Sequence, residues 1–212
     1  MKNLVIFDWD GVITDSCASF LEYYRITVEH FGKSFPIKSV DEYRGWYDSA
    51  WENNFLKLGF TSEEVPACVK HLTRLVDYSA IPLFPGIKEI IVALAQTSTL
   101  AIASTTHSRH IRSRLESEGF DGAFSFISGG EGGTSEKQSR ILRVIEELSF
   151  PVARAVMVGD TAMDVRSAQA LGIKAIAVYY GWNTKELLER ENPDFLLSHW
   201  QDLPSCIGRL FP

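Results

Sequence analysis

Leu4-Val5-Ile6-Phe7-Asp8-Trp9-Asp10-Gly11 begins with four consecutive apolar residues and stops at a pair of carboxylates. Unbroken rather than alternating hydrophobicity predicts a strand buried on both faces, the habit of a parallel sheet. Four more runs follow the same rule. Leu100–Ala103 ends at Ser104, Phe124–Ile127 leads into Gly129-Gly130-Glu131-Gly132-Gly133, Ala155–Val158 ends at Gly159-Asp160, and Ala175–Val178 comes last. Helical patterns lie between them. One runs from about His107 to Glu118 and stops at Gly119. One follows Ser135-Glu136-Lys137-Gln138, which reads as a capping box, and sets Ile141, Leu142, Ile145 and Leu148 on one face. A third starts after Asp160-Thr161 and ends at Gly172, where glycine serves as a C-cap. Such alternation predicts an α/β protein, a Rossmann-like three-layer core around a central parallel sheet.

One stretch departs from the alternation. Residues 16–83 contain no convincing buried strand, and Cys17, Leu21, Tyr24, Val28 and Phe31 recur at helical spacing. Two further helices are predicted near Val40–Leu58 and Ser62–Ser79, separated by Gly59-Phe60-Thr61, before Pro82-Leu83-Phe84-Pro85-Gly86 returns the chain to the sheet. The expected organisation is a core of residues 1–15 and 84–212 with an all-α helical cap, 16–83, inserted after the first strand.

Composition narrows the function classes. With 45% apolar and 23% charged residues in 212, the chain is neither disordered nor low in complexity. No apolar run reaches the roughly 18 residues of a membrane span, and the short stretch behind Met1-Lys2-Asn3 is too brief for a signal-peptide core. Twenty-seven acids against 21 bases argue against a nucleic-acid partner. Cys17, Cys68 and Cys206 lie far apart with no CxxC spacing, so neither a disulfide framework nor a zinc site is expected. The expectation is a cytoplasmic protein, monomer or homodimer, with no membrane and no nucleic-acid partner.

Ligands of open parallel sheets bind beyond the carboxyl ends of the strands. Asp8 and Asp10, Ser104 and Thr105, Lys137, and Asp160 and Asp164 would therefore meet at one rim. Singly, each aspartate reads as a turn residue or helix cap. Together they describe phosphoryl chemistry. Carboxylate oxygens with waters and a substrate phosphate suit Mg²⁺. A carboxylate can attack phosphorus to form an aspartyl-phosphate, and a cation and a lysine would neutralise the transferring group. A second aspartate two residues on could protonate the leaving alkoxide if its surroundings raise it above the usual value of about 3.9.

Asp8-x-Asp10-Gly11, strand-end Ser104, Lys137 and Gly159-Asp160-x-x-x-Asp164 resemble the four signatures of the haloacid dehalogenase superfamily of phosphohydrolases. The cap between the first two is similar to that of its phosphoglycolate phosphatase and β-phosphoglucomutase branch. The resemblance extends over nearly the whole chain, including Phe84-Pro85-Gly86 and Val178-Tyr179-Tyr180-Gly181-Trp182. It implies a Mg²⁺-dependent phosphatase acting on a small phosphorylated metabolite, phosphoglycolate phosphatase-like. Asp8 would be nucleophile and metal ligand. Asp10 would be general acid/base and ligand through its backbone carbonyl, and Asp160 would complete the metal site. Ser104, the Thr105 amide and Lys137 would hold phosphate, with Asp164 supporting the site from behind the metal ligands or through water. Trp9, Val12-Ile13 and Gln138 depart from the usual family residues.

Arg44, in the cap sequence Arg44-Gly45-Trp46, and His107, behind Ser104, are candidate specificity residues. The glycine-rich loop matches neither a P-loop nor a dinucleotide fingerprint. A phosphomutase using the same residues is the nearest alternative, and a non-catalytic Mg²⁺- or partner-binding module a more distant one. A dehalogenase has no use for the acid that Asp10 supplies.

Overall fold

The computed structural model describes residues 2–131 and 136–211. Its centre is a parallel sheet of β1 (Leu4–Phe7), β2 (Thr99–Ala103), β3 (Phe124–Ser128), β4 (Ala155–Gly159), β5 (Lys174–Val178) and β6 (Phe195–Leu197), in the order β3-β2-β1-β4-β5-β6. The five predicted runs are all strands of this sheet. The added β6 is three residues long and only partly buried, too weak a pattern to read beforehand. The predicted α/β layering with a helical cap is the observed architecture.

The period-two geometry of a strand explains the unbroken apolar runs. Val5 and Phe7 face a layer formed by α5 (Ile87–Thr97), α6 (Ser108–Glu118) and α10 (Leu203–Leu210). Leu4 and Ile6 face α7 (Lys137–Glu147), α8 (Ala162–Ala170) and α9 (Lys185–Glu189). All four are fully buried, and each such side chain removed from water contributes about 1.5–3 kcal/mol.

Register decides where the polar residues emerge. Phe7 pairs with Ile102 on one side and Val158 on the other, so the residues after β1, β2 and β4 leave the sheet at the same edge. The chain runs outward from β1 in one direction and from β4 in the other, making the β1/β4 border the switch point where ligands of open α/β sheets bind.

Between β1 and α5 the chain forms α1 (Cys17–His30), α2 (Val40–Trp46), α3 (Trp51–Lys57) and α4 (Val65–Leu75). Phe20, Tyr24, Tyr43, Phe55 and Leu72 form a separate apolar cluster into which the core contributes Trp182. The single helix predicted near Val40–Leu58 is two. Tyr47 turns extended at the end of α2, and the Asp48 carboxylate accepts from Ala50 N at 2.9 Å. Buried Asn54 clamps the same turn, accepting from Asp48 N at 2.8 Å and donating to its carbonyl at 2.7 Å. Such side-chain bonds to the local backbone compete with helix continuation. The helix predicted over Ser62–Ser79 is confined to Val65–Leu75, with Pro66 in its first turn.

Cap and core join along a two-stranded seam. Asp15 N donates to Pro82 O at 2.8 Å and Phe84 N to Ile13 O at 3.1 Å, flanking an antiparallel bridge between Thr14 and Leu83. The predicted helix ends at Gly119 and Gly172 are present, both glycines at positive φ. The capping box read at Ser135 and part of the glycine-rich loop lie outside the described residues, and α7 begins at Lys137. No helix among the described residues is long and apolar enough to cross a membrane.

Candidate active site

Asp8 directly follows β1, its amide donating to Val158 O at 2.9 Å so that the ladder continues under it. One carboxylate oxygen accepts from Trp9 N at 2.7 Å and the other meets Lys137 Nζ at 2.7 Å. Lys137, in the first turn of α7, also reaches Asp164 Oδ1 at 2.9 Å and donates to Ala103 O at 3.1 Å. Burial pushes Asp8 up to about 7, with Lys137 opposing and Asp164 assisting the rise. Burial alone would lower Lys137; Asp164 and Asp8 outweigh it and hold the ammonium up at about 12.

Asp160 follows β4 and is completely buried. Its Oδ2 accepts from Trp182 N at 2.6 Å, while its Oδ1 has no hydrogen-bond partner among the described residues. Burial, then Asp8 and Asp164, raises it well above the ordinary carboxylate value. Close approach to this carboxylate demands glycine twice: a Cβ at Gly181 would stand 2.3 Å from Asp160 Oδ2, and one at Gly11, whose φ is +77°, only 2.0 Å from it. Asp164 closes a reciprocal cap at the start of α8, its Oδ2 accepting from Thr161 N at 3.0 Å and Thr161 Oγ1 at 2.6 Å. Its other oxygen is thereby aimed at Lys137.

Asp10 is held differently. Its Oδ1 accepts from Thr14 Oγ1 at 3.1 Å and its Oδ2 from Thr106 Oγ1 at 2.5 Å. Burial raises its pKa, against the lowering effect of the Thr106, Thr14 and Ser16 hydroxyls. That is the direction an acid needs if it is to hold a proton near neutrality.

Four carboxylates thus converge around one lysine. A model of the haloacid dehalogenase-like hydrolase family matches residues 5–178. The chain belongs to that family. This haloacid dehalogenase-like hydrolase is 26% identical over 211 residues to a phosphoglycolate phosphatase of Synechococcus elongatus, covering 97% of each chain. It is 27% identical over 196 residues to the tyrosine-protein kinase PtkA of Mycobacterium tuberculosis, covering 89% of this chain and 66% of that one. Among solved structures, a haloacid dehalogenase-like hydrolase from Streptococcus pneumoniae superposes with a TM-score of 0.86 at 19% identity, over 97% of this chain and 98% of that one. The last likeness concerns the fold alone.

A divalent cation fits this hydrolase. Asp8, Asp160 and Asp164 each bring a carboxylate oxygen within 4.8 Å of the others, and the buried, unpartnered Asp160 Oδ1 lacks the counter-charge that burial of a carboxylate demands. The Asp10 carboxylate is not in that set; its two oxygens accept from threonines, and the ligand role expected of Asp10 is through its backbone carbonyl.

The other expected residues divide. Thr105 lines the cavity beside Asp8 together with Asp10 and Lys137. Ser104 is buried one layer behind, its Oγ accepting from Thr106 N at 3.1 Å. His107 caps α6, accepting from Arg109 N at 3.2 Å, and is not in the cavity wall. Arg44 is turned away from the cavity altogether. Its guanidinium donates to the carbonyls of Tyr179 and, at 3.2 Å, Asn183, fastening the cap to the loop after β5. Unforeseen were Thr106 and Trp182. Thr106 directly follows the expected Ser104 and Thr105, and Trp182 closes the quoted stretch Val178–Trp182; what was missing was any sign of which neighbour each would meet.

Proposed function

We propose that the protein is a Mg²⁺-dependent phosphatase that cleaves a small phosphorylated metabolite through an aspartyl-phosphate on Asp8, with residues 16–83 moving as a cap over a core of 1–15 and 84–212. The observation that carries this reading is the unlike treatment of two neighbouring aspartates. Asp8 is paired directly with Lys137, which opposes the upward push of burial, whereas Asp10 has no ion-pair partner: two threonine hydroxyls hold its oxygens in place and burial raises its pKa against them.

In this reading an Asp8 oxygen attacks phosphorus while the bond to the ester oxygen breaks, and Asp10 gives its proton to that oxygen as the alcohol departs. Asp10, now a carboxylate, takes a proton from water as the water attacks the phosphorus. Asp8 is released with inorganic phosphate. Lys137 stands against Asp8 through both steps and offsets the charge gathered on the phosphoryl oxygens. Thr105, in the cavity wall, is placed to hold one of them. Asp8 and Asp160, with the Asp10 carbonyl and support from Asp164, would hold the cation, which when bound supplies further positive charge to the phosphoryl group. Cap closure excludes water during the first transfer.

The name of the Synechococcus relative makes 2-phosphoglycolate the first ester to assay. Asp8→Asn should abolish phosphate release while divalent-cation binding, weakened by the loss of one anionic ligand, stays measurable. Release persisting in that variant would overturn the reading. Turnover that required a sugar bisphosphate and returned the phosphoryl group to sugar would replace it with a phosphomutase.

A further inference from the structure

The space beside Asp8 is small, about 40 Å³, room for roughly three or four waters at about 10–15 Å³ each. Away from the carboxylates its wall carries the hydroxyls of Ser49, Thr105 and Thr161 and is otherwise made of large side chains, Phe20 of α1, Tyr47 and Trp51 flanking the α2–α3 turn, Trp182 after β5, and Met163 of α8. The Tyr47 and Trp182 rings are 4.3 Å apart and those of Phe20 and Trp182 5.0 Å. Among the described residues in this wall Lys137 is the one cation, and its ammonium is already divided between Asp8, Asp164 and the Ala103 carbonyl. The cap's nearby guanidinium, Arg44, is not part of this wall, and its Nη2 donates to two backbone carbonyls. Past Tyr47, Ser49 and Met163, which belong to both walls, the space widens into a polar crevice of about 510 Å³ between the cap turn and α8–α9, where Asp48, Arg166, Arg190 and Glu191 lie outside the aromatic neck.

A two-carbon acid esterified to phosphate carries its carboxylate two bonds from the ester oxygen. It would have to set that charge inside the aromatic neck, where no counter-ion meets it and burial is unfavourable. A flat apolar group in the same place meets the faces and edges of these rings and brings no charge that needs a partner there. We propose that the substrate is a phosphate monoester of an uncharged alcohol bearing a flat apolar group, gripped by Tyr47, Trp51 and Trp182. This rests on the phosphatase reading and names the class of ester it acts on.

The test compares 2-phenylethyl phosphate, ethyl phosphate and 2-phosphoglycolate, all with primary alkoxide leaving groups, on the full chain with Mg²⁺. The kcat/KM for 2-phenylethyl phosphate should exceed that for 2-phosphoglycolate at least tenfold, and Trp51→Ala should bring the phenylethyl-to-ethyl ratio toward one. Trp51→Leu serves if the alanine variant does not fold. Independently of turnover, 2-phenylethyl phosphate should quench the tryptophan fluorescence of the Asp8→Asn protein at concentrations where 2-phosphoglycolate does not. A kcat/KM for 2-phosphoglycolate equal to or above that of the aryl ester overturns the substrate class and leaves the phosphatase intact. Quenching without hydrolysis of any ester overturns the phosphatase and supports the pocket's preference. Neither quenching nor hydrolysis overturns both.

Discussion

Replacing Lys137 by methionine keeps the length and packing of the side chain and deletes its charge. In the native protein the ammonium is 1% exposed and lies 2.7 Å from Asp8 and 2.9 Å from Asp164. Removing one partner of a buried ion pair costs about 3–5 kcal/mol, because the abandoned charge stays buried. For a chain of this size each kcal/mol lowers Tm by about 2–4 °C, so a fall of roughly 6–20 °C is expected at pH 8 in EDTA. The sign of the pH dependence is also fixed. Asp8 sits at about 7 in the folded chain against an ordinary 3.8. A carboxylate raised in this way contributes stability that is complete below about 4 and is lost as pH rises through about 7. Without Lys137 the rise is larger, so the variant's deficit should grow from pH 5 to pH 8. Millimolar Mg²⁺, supplying the missing positive charge, should recover part of it at pH 8 only. Thermal melts followed by circular dichroism at the two pH values, with EDTA and with Mg²⁺, measure all three effects. A Lys137→Met protein within 2 °C of wild type at pH 8, or a deficit equal at both pH values, would refute the reasoning.

Asp160→Asn should weaken Mg²⁺ binding at least tenfold by calorimetry with little change in far-ultraviolet dichroism, since Trp182 N can still donate to the amide oxygen. Gly181→Ala forces a methyl to within 2.3 Å of the Asp160 carboxylate and 2.4 Å of Gly11 O. It should lower both Tm and Mg²⁺ affinity, and an unchanged affinity would show that the loop yields without moving Asp160. Thr106→Val removes a donor that lowers the Asp10 pKa. The Asp10 pKa should therefore climb, carrying the alkaline limb of the kcat/KM profile to higher pH, while kcat falls about 10-fold or more from the loss of a charge-assisted bond worth roughly 1.5–3 kcal/mol.

The sheet was legible because both-face burial forces unbroken apolar runs, and the carboxylates because each stands where such a run stops. What escaped reading is where one pattern serves two purposes. Tyr47 and Trp51 have the spacing of cap-core aromatics, and nothing in a helical period says which ring meets solvent, core or substrate. The break between α2 and α3 depends on Asn54 reaching back six residues to Asp48, a contact invisible to propensity. Arg44 has the chemistry of an anion clamp, yet two backbone carbonyls more than 130 residues away claim it. The short β6 gains its place from β5 beside it, not from its own three residues.

The seam between Thr14-Asp15 and Pro82-Leu83 holds the two ends of the helical insert within one hydrogen bond of each other. To the α/β core the insert is therefore a loop whose closure is already made, and loop-closure cost grows only slowly with length. The seam acts as a socket, so what is plugged into it can be lengthened, shortened or exchanged without altering the path of the strands that place Asp8 and Asp160. A short turn joining Thr14 to Leu83 should leave a folded core that still captures a cation and hydrolyses unselectively. Grafting a relative's helices into the same socket should carry over that relative's choice of ester.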